Sequence, residues 1–435
     1  MLDAVSLPDA RQTRRILFAS MVGTTIEFYD FYIYATAAVL VFPHLFFPKS
    51  NATTAQLQSL VTFALAFLAR PIGSAFFGHF GDRIGRKTTL VAALLTMGIS
   101  TICIGLLPTY ASIGVFAALL LALCRVGQGV GLGGEWGGAV LLATENAPPG
   151  KQGWYGMFPQ LGAPVGLFVS ILAFLLISNS LNETQLFSWG WRLPFLASTV
   201  LVGIGLYIRL QLTETPAFKR SLERNERVRV PFAAVVARQP LELLLGALAA
   251  STTFVVFYLA NVFALGWATT ALHFERQTFL EMQLLGVVFF GLTIPIAGRI
   301  ADRIGARTMM IVATLLIIVS GFAYEPLFSS HSTALVLTFL IMGFALSGLS
   351  YGPLGTALAE MFPTAVRYTG TSLTFNIAGI LGASLAAPVA IWLGTHYGVR
   401  YVGYYLSSCG VITLIALLFI KTHKHESPTE TGSTS

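Results

Sequence analysis

The chain is short of charge. Asp, Glu, Lys and Arg make up 10% of its 435 residues, against 55% hydrophobic, and the mean hydropathy is +0.74. A soluble domain carries about 25% charged residues. So few charges cannot cover a water-facing surface, and the solvent that suits this chain is lipid. Long polar stretches are missing too. The longest runs from about Leu212 to Gln239, a linker with room for a helix. That excludes the several soluble domains that length alone would suggest. Cysteine is scarce: Cys103, Cys124 and Cys409 each lie in an apolar run and none forms a CxxC, which excludes a disulfide framework and a zinc site. The seven histidines (44, 79, 273, 331, 396, 423 and 425) sit mostly in loops or tails without metal-ligand spacing. No metal or organic cofactor is expected.

What the chain does have is apolar runs. Crossing the hydrocarbon core takes about 20 apolar residues, and twelve runs meet that need. They lie near 16–40, 57–79, 88–107, 112–138, 155–178, 191–211, 241–270, 281–299, 308–325, 333–357, 370–393 and 400–420. The charged start (Arg11, Arg14, Arg15) leads into a run too long for a signal-peptide core, with no small-residue cleavage site, and is read as the first membrane helix. The net charge of +7 does not point to nucleic acid. Its Lys and Arg lie in short loops, not on one solvated face. Twenty of them fall on one side of the predicted membrane, including Arg83, Arg86, Lys87, Arg209, Arg299, Arg303, Arg307 and Arg367. Four fall on the other: Lys49, Arg192, Arg276 and Arg400. Positive residues stay inside, so both termini are predicted to be cytoplasmic. Arg70 and Arg125 remain within the membrane.

The sequence repeats itself. GHFGDRIGRK at 78–87 follows the second apolar run and GRIADRIGAR at 298–307 follows the eighth. Glu145-x-x-Pro148 after run four is echoed by Glu360-x-x-Pro363 after run ten. A single basic turn could merely set topology, but two at equivalent places mark a duplicated six-helix unit. Transporters use such units to build a midplane site between two bundles. The predicted organisation is a first bundle over 1–211, a cytoplasmic linker over 212–239, a second bundle over 240–423 and a polar tail over 424–435. The fold class is all-α membrane protein: twelve transmembrane helices in two six-helix bundles related by internal pseudo-symmetry.

These residues resemble the major facilitator superfamily over nearly the whole chain. The loop motif is specific to it, and RVGQGVGLGGEWGG at 125–138 is similar to its fourth-helix signature. IEFYDFYIY at 26–34, FLARPIGS at 67–74, GGEWGGAVLLATENAP at 133–148, SWGWRLPF at 188–195 and EMFPTAVRYTG at 360–370 look like its metabolite:proton symporter branch. The second loop motif departs from the pattern at Ala301 and Ala306. The resemblance implies a bacterial inner-membrane protein that moves small carboxylates or zwitterions, with the proton as coupling ion. It also implies a cytoplasmic gate formed by Asp82, Arg83, Arg86, Glu145, Asp302, Arg303, Glu360 and Arg367. There Asp82 would lie at the start of helix eleven, where a carboxylate suits a helix N-terminus. Arg86 would pair with Glu145.

Ionisable residues at mid-membrane are costly and are functional candidates by default. Glu27 is twelve residues past Arg15, about 18 Å up a helix and so near the middle of the core. Asp30 shares its face at i, i+3. A carboxylate held away from water is suited to take up and release a proton, which makes the pair the candidate proton carrier. The plainer reading is a structural ion pair with Arg70 or Arg125. Arg125 and Arg70 are candidates for gripping a substrate carboxylate through two parallel hydrogen bonds. At about 100° per residue Glu135 points away from Arg125, as a second titrating group or an interhelical acceptor. The glycines at 127, 129, 131, 133 and 134 read as a close-packing seam, since a GxGxxG without a preceding strand is a weak nucleotide signal.

The second half offers neutral groups. Tyr258 and Asn261 repeat the i, i+3 spacing of Glu27 and Asp30, and Ser350, Tyr351 and Asn376 follow. With Gln160, between Pro159 and Pro164, these are the expected hydrogen-bonding and aromatic contacts to substrate; packing or an interfacial belt is the alternative. The leading expectation is proton-coupled symport by alternating access, with an uncoupled facilitator or antiporter as the alternative. A membrane enzyme would need a nucleophile–base pair or metal cluster, which the sequence does not offer. A transporter-like sensor would normally add a soluble signalling domain. A monomer suffices, with the bilayer and a small molecule as partners.

Overall fold

The computed structural model describes residues 10–84, 86–145, 147–211, 231–363 and 366–420. Within them the chain forms twelve long helices. The first half comprises α1 (Ala10–Leu40), α2 (Ala52–Ile84), α3 (Arg86–Leu106), α4, α5 (Gln152–Ser180) and α6 (Leu193–Gln211). Helix α4 runs over Val115–Leu132, breaks, and resumes over Trp136–Glu145. The second half comprises α7, α8 (Arg276–Ile304), α9 (Ala306–Phe322), α10 (Thr333–Ala359), α11 and α12 (Val399–Phe419). Helix α7 is α-helical over Pro240–Tyr258, widens to a π turn over Leu259–Phe263 and ends as Ala264–Thr270. Helix α11 does the same: Arg367–Ala378, a π turn over Gly379–Ser384, then Leu385–Tyr397.

Each predicted apolar run thus becomes one membrane helix. Most continue a few residues past the predicted limits, because a helix keeps its backbone bonds into the headgroup region while hydropathy registers only the hydrocarbon part. Large apolar side chains such as Leu68, Ile72, Leu123 and Val319 face outward and are more than half exposed. On a soluble monomer such a band would be an aggregation hazard; around a helix bundle it is the lipid-facing surface. The protein is a multi-pass membrane protein.

The packing pattern repeats. Helix α1 lies along α5, α2 along α4 and α3 along α6; in the second half α7 lies along α11, α8 along α10 and α9 along α12. The halves meet where α5 packs against α8 and where α2 packs against the π turn of α11. Both seams obey the same symmetry. The turn that joins α8 to α9 rests on Gly305, whose φ of +90° suits a residue without Cβ. Of the predicted linker, 231–238 is helical (Pro231–Arg238). The remainder of it before residue 231, and the polar tail, lie outside the described residues.

Candidate functional site

Among the described residues six charged side chains are buried: Glu27, Asp30, Arg70, Arg125, Glu135 and Arg209. All six belong to the first half. They are three acids and three bases, so fully ionised they sum to zero. Burying a lone charge costs several kcal/mol even after relaxation, which is why acids and bases arrive in equal number.

Arg209 corrects the reading from sequence, which placed it among the loop charges. It lies near the end of α6 and its guanidinium donates to Glu27 Oε1 at 2.8 Å. It also pairs with Glu135. Glu27 therefore has neither Arg70 nor Arg125 as its ion-pair partner. Glu135 stands in the break of α4 and faces Arg209 of α6, not Arg125. Asp30, on the same helix as Glu27, is fully buried. Its Oδ1 accepts from Ser198 of α6. Its other oxygen has no hydrogen-bond partner, and no cation stands within ion-pair distance, among the described residues.

The two predicted arginines differ. Arg125 is enclosed: Nη1 donates to Gln128 Oε1 at 2.8 Å and Nε to the Phe63 carbonyl at 3.3 Å. Its guanidinium lies 4.3 Å from the Phe31 ring centroid, 4.1 Å from that of Tyr34 and 4.8 Å from that of Phe63. Gln128 passes the contact on to Thr101 at 2.7 Å. Arg70, by contrast, makes no hydrogen bond or ion pair among the described residues. It rests on the rings of Phe31 and Phe67 at 4.7 and 4.8 Å. Tyr258, Tyr32, Tyr351 and Glu27 are the titratable groups close enough to act on it electrostatically. Two of these tyrosines come from the second half. A buried guanidinium with five donors and no acceptor, facing tyrosines across the seam, is suited to an oxygen-rich anion.

Of the predicted second-half groups, Tyr258 packs its ring 5.6 Å from Phe63 and 5.8 Å from Phe67, just before the π turn of α7. The Tyr351 hydroxyl is buried without a hydrogen-bond partner among the described residues. Asn261 accepts from Gln283 Nε2 within its own half, at its backbone carbonyl at 2.8 Å and at Oδ1 at 3.4 Å. Ser350 bonds back to its own helix. Gln160 bridges the halves, accepting from Trp136 Nε1 at 2.9 Å and donating to the Tyr351 carbonyl at 2.9 Å. Asn376 donates to Ser74 Oγ at 2.7 Å and to the Gly133 carbonyl at 3.1 Å, again across the seam. Sequence reasoning did not single out Tyr32, Ser198, Gln128 or Trp136. Tyr32 carried a signal, standing within the motif that holds Glu27 and Asp30, as did Gln128 and Trp136 within the fourth-helix signature at 125–138; Ser198 carried none.

The predicted gate is described in its second-half copy. Asp302 accepts from the backbone amides of Gly153 at 2.7 Å and Trp154 at 3.1 Å, the first turn of α5. Arg299 stacks over the Trp154 ring at 4.2 Å. Arg303 is exposed, and Arg367 donates to the Phe362 carbonyl at 3.1 Å. Burial pushes the Glu360 carboxyl up, while the neighbouring Arg367 charge pulls it back. The side chains of Asp82, Arg83, Arg86 and Glu145 lie outside the described residues. On the opposite face Arg276 approaches Glu183 at 3.8 Å, and the Tyr32 and Phe257 rings meet between the halves at 5.5 Å. The halves touch on both sides of the buried charges, an occluded arrangement.

Comparison with known proteins agrees with this architecture. A family model described as "Sugar (and other) transporter" matches residues 16–230, and one described as "Major Facilitator Superfamily" matches residues 247–435. The inner membrane metabolite transport protein YhjE of Escherichia coli (strain K12) is 53% identical over 95% of both chains. The shikimate transporter of the same organism is 34% identical over 94% of both chains. A partially occluded inward-open structure of the E. coli xylose transporter XylE superposes with a TM-score of 0.72, covering 94% of this chain and 97% of that one, at 16% identity.

Proposed function

Because the chain belongs to the major facilitator superfamily and is a transporter of small metabolites, we propose that it is a proton-coupled symporter for a small carboxylate, or a zwitterion bearing one, in the bacterial inner membrane. The observation that carries this reading is the balanced set of six buried charges with Arg70 left unpaired at the seam. Asp30 is the acid that takes and gives a proton without breaking an ion pair, since Glu27 and Glu135 both hold Arg209. Protonating Asp30 leaves the set with one positive charge in excess. An incoming carboxylate at Arg70 restores neutrality. Each ligand thus lowers the cost of burying the other, which is thermodynamic coupling in its elementary form. Tyr32, Tyr258 and Tyr351 supply hydroxyls and apolar walls to the same place, and alternating access follows from rocking one half against the other. Arg125 serves as the fixed counter-charge that keeps the bundle neutral. The shikimate relative, named for a carboxylate, agrees with this substrate class.

Proton flux in proteoliposomes loaded with a pH dye tests the proposal, screened against carboxylates and betaines. Lumen acidification that needs both protein and one compound is the expected result. Labelled compound that equilibrates with no proton movement would replace symport by facilitated diffusion.

A further inference from the structure

The break in α4 is held open by α2 of its own half and by α11 of the other half. In an unbroken helix the carbonyls of Gly133 and Gly134 would accept from the amides four residues on, those of Gly137 and Gly138. Here both carbonyls are taken by side chains instead. Ser74 of α2 and Asn376 of α11 donate to Gly133 O, and the Tyr368 hydroxyl of α11 donates to Gly134 O. The next residue but one, Trp136, stacks face to face on Phe375 of α11 at 3.6 Å. The break also abuts the candidate anchor: a Cβ at Gly133 would collide with the backbone of Arg70 and Ser74.

We infer that Tyr368 and Asn376 are positioning residues for transport, acting through the broken turn of α4 as a latch on the basic face rather than by touching substrate. A buried carbonyl must find a donor. While the halves are closed on this face, α11 supplies it to Gly134 O and adds Asn376 to Ser74 at Gly133 O. When they part, α11 withdraws; Gly133 O keeps Ser74, and the Gly134 carbonyl finds a donor again if Gly133–Glu135 winds back into helix. That winding moves Glu135 relative to Arg209 and moves the backbone against which Arg70 is seated. Opening of the face and loosening of the anchor are then one event. The inference rests on alternating access but not on the identity of the substrate or on the proton.

The test therefore needs no substrate. In a background with Cys103, Cys124 and Cys409 replaced by Ser, a single reporter is introduced as Ser372→Cys, buried in the basic-face seam opposite Gly137. A second is introduced as Gln56→Cys, which lies against Gly266 on the opposite face. Labelling by a membrane-impermeant maleimide is timed in vesicles of both orientations. Tyr368→Phe and Asn376→Ala are each expected to speed labelling at position 372 about fivefold, the factor that one hydrogen bond of about 1 kcal/mol gives, and to slow it at position 56. Unchanged rates at both positions overturn the latch. So does acceleration at both, which would mean general loosening. Tyr368→Phe removes a single oxygen, so it keeps the test decisive if Asn376→Ala fails to insert.

Discussion

Arg209 is the residue on which the buried electrostatics turn. Among the described residues it is the ion-pair partner of both Glu27 and Glu135, so Arg209→Gln strands two carboxylates away from water. Breaking a buried pair by removing one partner costs about 3–5 kcal/mol. A large fall in the unfolding temperature of purified protein in detergent is expected, with most of it recovered when Glu27→Gln and Glu135→Gln are added. Asp30→Asn should keep the fold, because the Ser198 hydroxyl still finds an acceptor. It should abolish proton-driven accumulation while counterflow exchange survives; accumulation unchanged in that variant would remove Asp30 from coupling. Arg70→Lys should raise KM about tenfold, since a hydrogen bond to a charged group is worth about 1.5–3 kcal/mol and an ammonium cannot form the paired bonds. Glu27, Asp30, Arg70 and Arg125 were legible in the sequence because a charge deep in an apolar run has no cheap explanation. Arg209 was not. It stands two residues from the end of its run, where a snorkelling loop charge and a buried counter-ion look alike.

The helices themselves were the most legible level, all twelve of them, because hydrocarbon thickness imposes a length that composition displays. Their interruptions were hidden. The π turn of α7 and the break of α4 leave carbonyls that neighbouring helices take up, Asn261 O by Gln283 and Gly133 O and Gly134 O by Ser74, Asn376 and Tyr368, and no local pattern records that. The Gly133–Gly134 pair reads from sequence as close packing, which is true of Gly133 against α2 but omits the broken turn. One contact between elements can be tested directly. Asp302 accepts from the first turn of α5, acting from across the seam as a capping residue would. Asp302→Asn should cost about 1 kcal/mol, within the range measured for lost caps. It should also hasten labelling at position 372, because this bond too joins the halves on the basic face. Labelling at that position no faster than in the parent would show that the cap is structural only.

For the whole molecule, duplication was legible from two loop motifs and the echo that follows them, and the symmetric helix pairings bear it out. Which groups would face each other across the two bundles was not, since no local spacing reports contacts between residues some two hundred apart. The loop charges give an expectation of their own. A reporter enzyme that folds only in the cytoplasm should be active on either terminus, and one that needs the periplasm inactive on both. The neutrality of the buried set also sets how the carrier meets the membrane voltage. An empty carrier whose interior sums to zero reorients without moving net charge through the field. Loaded with one proton and one monocarboxylate it again sums to zero, so the cycle is electroneutral and a pH gradient alone drives it. Loaded with one proton and a zwitterion it carries one positive charge, and 100 mV then contributes about 2.3 kcal/mol to accumulation. A potassium diffusion potential set with valinomycin therefore sorts the two substrate classes, and under the proposed symport the carrier's response to voltage follows from the six buried charges among the described residues.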